Sequence, residues 1–380
     1  MFKKILAFFK RKDIILSGQR YGIDAMGAMA QGLFCTLLVG TILDTIGQQF
    51  GISFLTAEVI DGAAIAKQLG VILPEGAVIK GLTIGGLCKA MVGVGIAVAV
   101  GHALHCPPLV LFSLIPVGYA ANIIGGAGGP LAVYVVVIVA SECGKLVSKE
   151  TKIDILVTPI VTILIGIGLA ALVAKPIGDA ASAVGDFVKW ATELQPFWMG
   201  ILVSVVIGIA LTLPISSAAI CAALSLTGLA GGAAVAGCCA QMVGFAVMSF
   251  RENRWGGLVA QGVGTSMLQM PNIIKNPRIW IPPILASAIT GPLATCLFKL
   301  EMNGAPVSSG MGTCGFVGQI GVYTGWVNDI ASGARSAITP MDWIGLALIC
   351  FILPAVLSWA FSLILRRIGW IKENDLKLNL

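Results

Sequence analysis

Long apolar runs, broken by short polar clusters, set the pattern of this chain. Leu194–Phe250 holds no Lys, Arg, Asp or Glu, and neither does Ala90–Ser141. A membrane-crossing helix needs roughly 20 apolar residues, so each run has room for two crossings. The pattern predicts spans near Ile23–Gly47, Gly85–Ala103, Pro107–Ile124, Pro130–Val147, Ile153–Ala174, Phe197–Ala218, Ala219–Phe250, Trp280–Phe298, Ser308–Val327 and Trp343–Leu365. The expected fold is an all-α polytopic membrane protein with about ten transmembrane helices. Ile52–Ile72 is apolar but carries Glu58, Asp61 and Lys67, and reads as a span, an external helix or a hairpin.

Composition agrees. The chain is 57% hydrophobic and 11% charged, with a mean hydropathy of +0.95. A soluble domain carries about 25% charged residues, so too few remain here to cover a water-facing surface. Net charge is +6, but its placement says more than its sum. Basic clusters lie at Lys3–Arg20, at Lys145, Lys149 and Lys152, and at Arg366, Arg367 and Lys372. By the positive-inside rule both termini and the Lys145–Lys152 loop are cytoplasmic, and Lys175–Glu193, with its three carboxylates, is outside. No basic domain exists off the membrane, which argues against nucleic-acid binding.

Three regions follow: a cytoplasmic N-terminal segment over 1–20, a membrane domain over 21–370 and a cytoplasmic tail over 371–380. Phe2, Ile5, Leu6, Phe8 and Phe9 among lysines predict an amphipathic surface helix that anchors the chain to lipid or docks a soluble partner. With no ATP-binding domain in view, energy comes from an ion gradient or a separate protein.

The ten cysteines lie almost entirely in apolar segments, without C-x-x-C or metal-ligand spacing. His102 and His105 share one helix face. They read as interfacial or proton-handling groups, and no metal or cofactor is expected. The glycine clusters at Gly125–Gly129 and Gly231–Gly232 are either close-packing sites or helix breaks.

Candidate chemistry concentrates in Gln269–Tyr323. Unpaired polar groups cost several kcal/mol in hydrocarbon, so this polar, proline- and glycine-rich stretch belongs at a protein-lined cavity. Broken helices at mid-membrane build many transporter sites. Glu301 either accepts hydrogen bonds from solute hydroxyls or carries a proton. The alternative is a carboxylate at a span end, paired with Lys299 or in solvent. Gln269, Asn272, Asn303, Ser308, Ser309, Thr313 and Gln319 offer neutral donors and acceptors suited to sugar hydroxyls, or bond back to helical carbonyls. Gln269–Asn276, flanking two prolines, reads as a loop or re-entrant turn. Asn122 and His102 complete the candidate set.

The phrases GIDAMGAMAQGLFCTLLVGTIL, GTSMLQMPNIIKNPRIWIPP and GAPVSSGMGTCGFVGQIGVYTGW resemble the enzyme IIC-like membrane proteins of the phosphotransferase system, in the perfringolysin O regulator branch. The resemblance runs from about Tyr21 to Trp370. It implies a homodimeric permease in a bacterial-type plasma membrane, with re-entrant hairpins. Its solute would be a carbohydrate, phosphorylated during uptake by a separate IIB protein. No fused IIA or IIB domain is expected, so phosphotransfer by this chain alone is not. The alternative is a membrane regulator that binds a small solute in the same cavity and signals to cytoplasmic partners.

Overall fold

The computed structural model describes residues 8–62 and 81–378. Phe2, Ile5 and Leu6, and the ambiguous segment from residue 63 onward, lie outside the described residues. The chain is helical, with no strand beyond the isolated bridges Ile60–Leu82 and Gly228–Met302 among the described residues. Among the described residues six helical stretches are long and apolar enough to cross a membrane, or seven if one bent pair is a single span.

α1 (Arg20–Gln49) runs from the N-terminal end to the opposite face. It contains two π turns, Arg20–Ala25 and Phe34–Leu38. α2 (Ile84–Ala90) and α3 (Val92–Ala103) form an apolar pair bent by 55° at a one-residue break. Thr83 starts α2 by accepting the Gly86 N–H at 2.9 Å. α4 (Pro108–Gly125) and α5 (Gly129–Val147) fold back on each other. The reversal is made at Gly126, whose φ of 51° and ψ of −120° are costly for any residue with a Cβ. This glycine cluster is therefore a turn.

α6 (Asp154–Thr192) has 39 residues. At 1.5 Å per residue it is about 58 Å long, nearly twice the hydrocarbon thickness. The segment expected as an external loop, Lys175–Glu193, is the last turns of this helix and its C-cap. α7 (Pro196–Thr212) is shorter, and α8 (Ser217–Ala223) is followed two residues on by Ser225, which has φ 49°. α9 (Gly228–Met248) starts afresh after that break, so the expected span Ala219–Phe250 is two helices.

α9 is the axis of the molecule, 94% buried, whereas α6 is 22% buried and faces outward. The second glycine cluster is a packing site: a Cβ on Gly232 would stand 1.7 Å from the Leu300 carbonyl. Small residues let membrane helices approach this closely. α10 (Phe250–Val259) and α11 (Met270–Lys275) follow, with Pro271 tolerated in the first turn of α11. The expected loop there is thus a short helix. α12 (Pro277–Leu297) crosses next.

Ser308–Val327, expected as a span, opens with irregular 3-10 turns, because Gly312, Gly315 and Phe316 have φ of 53°, 50° and 59°. Only then does α13 (Val317–Ala331) begin. α14 (Pro340–Arg367) is the last crossing. α1 and α3–α6 pack as one group, and α7, α9, α12 and α14 as another.

Contacts fix which loops share a face. Arg20 donates to the Leu104 carbonyl at 2.6 Å, Lys12 donates to Ser148, and Asn272 donates to the Lys377 carbonyl at 2.9 Å. One cavity joins Ile23, Asp24 and Ala103 to Asn272 and Lys377, so residues 12–20, the Lys145–Lys152 region and Lys377 lie on one side, here called proximal. Asp44 with Thr83, Gln49 with Thr324, and Ser216 with Ala127 mark the distal side.

Candidate functional site

Three cavities follow one another along α1. The proximal one, about 260 Å³, is lined by Asp24, Gly27, Ala28 and Gln31 of α1, with Ala103, Asn272 and Lys377. The middle one is only about 20 Å³ and lies between Leu33, Leu37 and Leu38, Leu211, Thr265, Met267 and Met311. The distal one is about 390 Å³, its wall mostly apolar with polar side chains set into it. Its volume falls within the range of small-molecule sites, roughly 300–1,000 Å³. The narrow point coincides with the π turn Phe34–Leu38, a feature common at functional places in helices.

The distal cavity is built from one face of α1. Thr41, Asp44, Thr45 and Gln48 are spaced i, i+3, i+4, i+7, which places them in one stripe. Opposite stand Lys89, Ser216, Ser308 and Thr324. Asp44 accepts from Lys89 Nζ at 2.5 Å and from Thr83 Oγ1 at 2.7 Å. Thr324 Oγ1 donates to Gln49 Oε1 at 2.7 Å. Thr41 and Thr45 donate to the carbonyls of Leu37 and Thr41, both at 2.7 Å, leaving hydroxyl lone pairs as acceptors. Asp44 and Lys89 cancel in charge, so the cavity suits a neutral polar solute.

The candidates from Gln269–Tyr323 fall into two groups. Gln269 Nε2 donates to Gln261 Oε1 at 2.8 Å and to the Leu376 carbonyl at 3.0 Å. Asn272 Nδ2 donates to Gln269 Oε1 at 2.8 Å. This buried amide ladder is proximal, tied through Gln261 to Ser249 at the end of α9. Asn303 lies at the start of α9, where its Oδ1 accepts from the Gly228 N–H at 3.1 Å. Its Nδ2 donates to Asp329 at 2.9 Å and faces the exposed Glu301 at 3.4 Å. α9 is 21 residues long, which separates the groups by about 30 Å. The structure does not bring Gln269 and Asn272 together with Glu301 and Asn303.

Ser308 lines the distal cavity. Ser309 donates to the Leu226 carbonyl at 2.7 Å, and Thr313 contacts Met242 Sδ at 3.6 Å. Gln319 Nε2 faces Cys239 Sγ at 3.2 Å, while its buried Oε1 has no hydrogen-bond partner among the described residues. Asn122 is at the α4 turn, against Gly129. His102 is exposed at the end of α3, and His105 lies 3.3 Å from Asp13. No group of three metal-ligating side chains forms among the described residues.

None of Asp44, Lys89, Gln48, Gln49 and Ser216 stood among the candidates read from the sequence. The signal was the spacing of Thr41, Asp44, Thr45 and Gln48, a polar stripe on an otherwise apolar helix.

Outside the membrane spans, Arg20 hydrogen-bonds Asp13 at 2.6 Å and holds its carboxyl below the usual range, and Lys12 does the same for Glu150.

Comparison with curated proteins and with solved structures finds no match. A family model does match: the one described as "Phosphotransferase system, EIIC" fits residues 23–378. That stretch contains the three cavities and every crossing described above. With its multi-pass helical body, the chain belongs to the phosphotransferase system EIIC family, the membrane permease components of that system.

Proposed function

We propose that this chain carries a neutral carbohydrate across the plasma membrane along α1, in concert with separate phosphotransferase proteins. The observation that supports this reading is the line of cavities: polar side chains line both ends, the route is closed between them, and a π turn lies at the closure. Asp44, Gln48 and Ser308 bind hydroxyls in the distal cavity, and Gln269 and Asn272 belong to the proximal end. Glu301 and Asn303 act at the distal rim. The proximal side faces the cytoplasm, because basic residues gather there: Lys12 and Lys145 beside Asp13 and Ser148, Arg278 over the Trp370 ring, and Arg366 on Glu252 just past α9.

Uptake of radiolabelled neutral sugars into sealed liposomes, with and without general phosphotransferase proteins and candidate IIB proteins, tests the reading. Asp44→Asn is expected to lower uptake at least ten-fold, and Glu301→Gln less than three-fold. Binding without flux under every condition would sink the permease reading in favour of a membrane regulator.

A further inference from the structure

Residues Ile371–Leu378 fold back onto the membrane body. Their contacts are dominated by four amide side chains. Asn253 Nδ2 donates to the Leu376 carbonyl at 2.7 Å, and its Oδ1 accepts from the Leu378 N–H at 2.8 Å. Gln269 donates to Leu376 and Asn272 to Lys377. Asn276 Nδ2 donates to Asp375 Oδ2 at 2.8 Å and to the Trp370 carbonyl at 2.9 Å. Two apolar anchors hold the segment, Ile371 at 2% and Leu376 at 0% exposed. Lys372, Glu373 and Asn374 between them are exposed.

Two features set this segment apart from a fixed strap. Apart from the Asp375 carboxylate on Asn276, its polar contacts to the body are neutral hydrogen bonds, which water or hydroxyl groups can replace one for one. Moreover, Lys377 and Leu378 form part of the wall of the proximal cavity. The donors that hold the carbonyls of Leu376 and Lys377, Gln269 Nε2 and Asn272 Nδ2, are of the kind a sugar oxygen would accept. The segment's main chain therefore occupies the positions a hydroxylated solute would take.

We propose that Ile371–Leu378 is a displaceable latch over the proximal end of the route, whose release exposes Gln269 and Asn272. The proposal rests on the permease reading for its purpose, but opening of the latch can be measured without transport.

The full chain is first followed by hydrogen–deuterium exchange. Backbone amides of residues 376–378 are expected to exchange at least 100-fold faster than those of α9. Protection equal to that of α9 would overturn the latch. Next, Asn276→Cys and Asp375→Cys are combined and joined by a short, reducible bis-thiosulfonate reagent. The chain without the two new cysteines, treated alike, is the control. Cross-linking is expected to reduce sugar uptake at least ten-fold, with recovery on reduction. Equal uptake by the cross-linked and reduced forms would show that the segment need not open, and the proposal falls. If neither form nor the control takes up sugar, the permease reading fails, and exchange alone decides whether the latch opens.

Discussion

Replacing Asp44 by Asn leaves an acceptor for Thr83 but removes the charge opposite Lys89. At 2.5 Å, Coulomb's law gives about 7 kcal/mol for an effective dielectric of about 20 and about 2 kcal/mol in bulk water. The Lys89 side chain is 39% exposed and that of Asp44 13%, so solvent screening and lost side-chain freedom remove most of the larger figure. Exposed pairs are worth about 0–1 kcal/mol, while breaking a buried one costs about 3–5. A pair half in water should show a coupling of about 1–2 kcal/mol. The assay is a double-mutant cycle of Asp44→Asn and Lys89→Gln, read by denaturant unfolding in detergent micelles. The double variant is expected to be more stable than the sum of the single losses allows. The same proteins report on ligand charge. Asp44→Asn makes the distal cavity net positive, so affinity should fall for neutral sugars and rise for a sugar acid. A coupling below about 0.3 kcal/mol, with ligand preference unchanged, would refute a fixed ion pair facing the solute.

Other perturbations test the frame. Gln241 is fully buried and accepts from Trp280 Nε1 at 2.8 Å and Thr212 Oγ1 at 3.3 Å. Gln241→Leu strands the Trp280 N–H, while Thr212 keeps Ser266 Oγ at 2.8 Å; it should cost about 1–2 kcal/mol, seen as a lower unfolding midpoint. Gly232→Ala must push back the Leu300 carbonyl, at about 1–3 kcal/mol by the same measurement. Because the Asp13 carboxyl is held below its ordinary value of 3.8, its contribution is complete above that pH and is lost as pH falls through the folded-state value. The difference in melting temperature between the parent and Asp13→Asn should thus be present at pH 6 and shrink below about pH 4; a constant difference would exclude the linkage.

The membrane class and most crossings were legible because hydropathy answers directly to the bilayer. Where α6 ends was not. A helix leaving hydrocarbon can keep its hydrogen bonds in water, so falling hydropathy marks the membrane boundary and not the helix terminus. The buried residues Ala170, Ala174, Gly178, Ala181, Gly185 and Val188 continue one helical face through the polar segment, and that period was the usable sign. The two glycine clusters look alike in composition, yet one turns the chain and the other packs it. That difference depends on Leu300, almost 70 positions away from Gly232. Gln269, Asn272, Glu301 and Asn303 were grouped because they are near in sequence. α12 lies between them, and one full crossing necessarily sends its flanks to opposite sides. The distal cavity escaped notice because it joins α1 to residues more than 250 positions later, such as Ser308 and Thr324.

The π turn at Phe34–Leu38 also sets a phase. On its proximal side Asp24, Gly27, Ala28 and Gln31 share one face of α1, and on its distal side Thr41, Asp44, Thr45 and Gln48 share another. Each residue advances an α-helix by about 100°, so a single deletion within Phe34–Leu38 would swing the distal stripe by roughly that angle against the proximal one. The chain would keep its composition, its hydropathy profile and nearly its length, yet point Asp44 at a different neighbour. One residue of helical slack thus determines whether the two ends of α1 address the same passage.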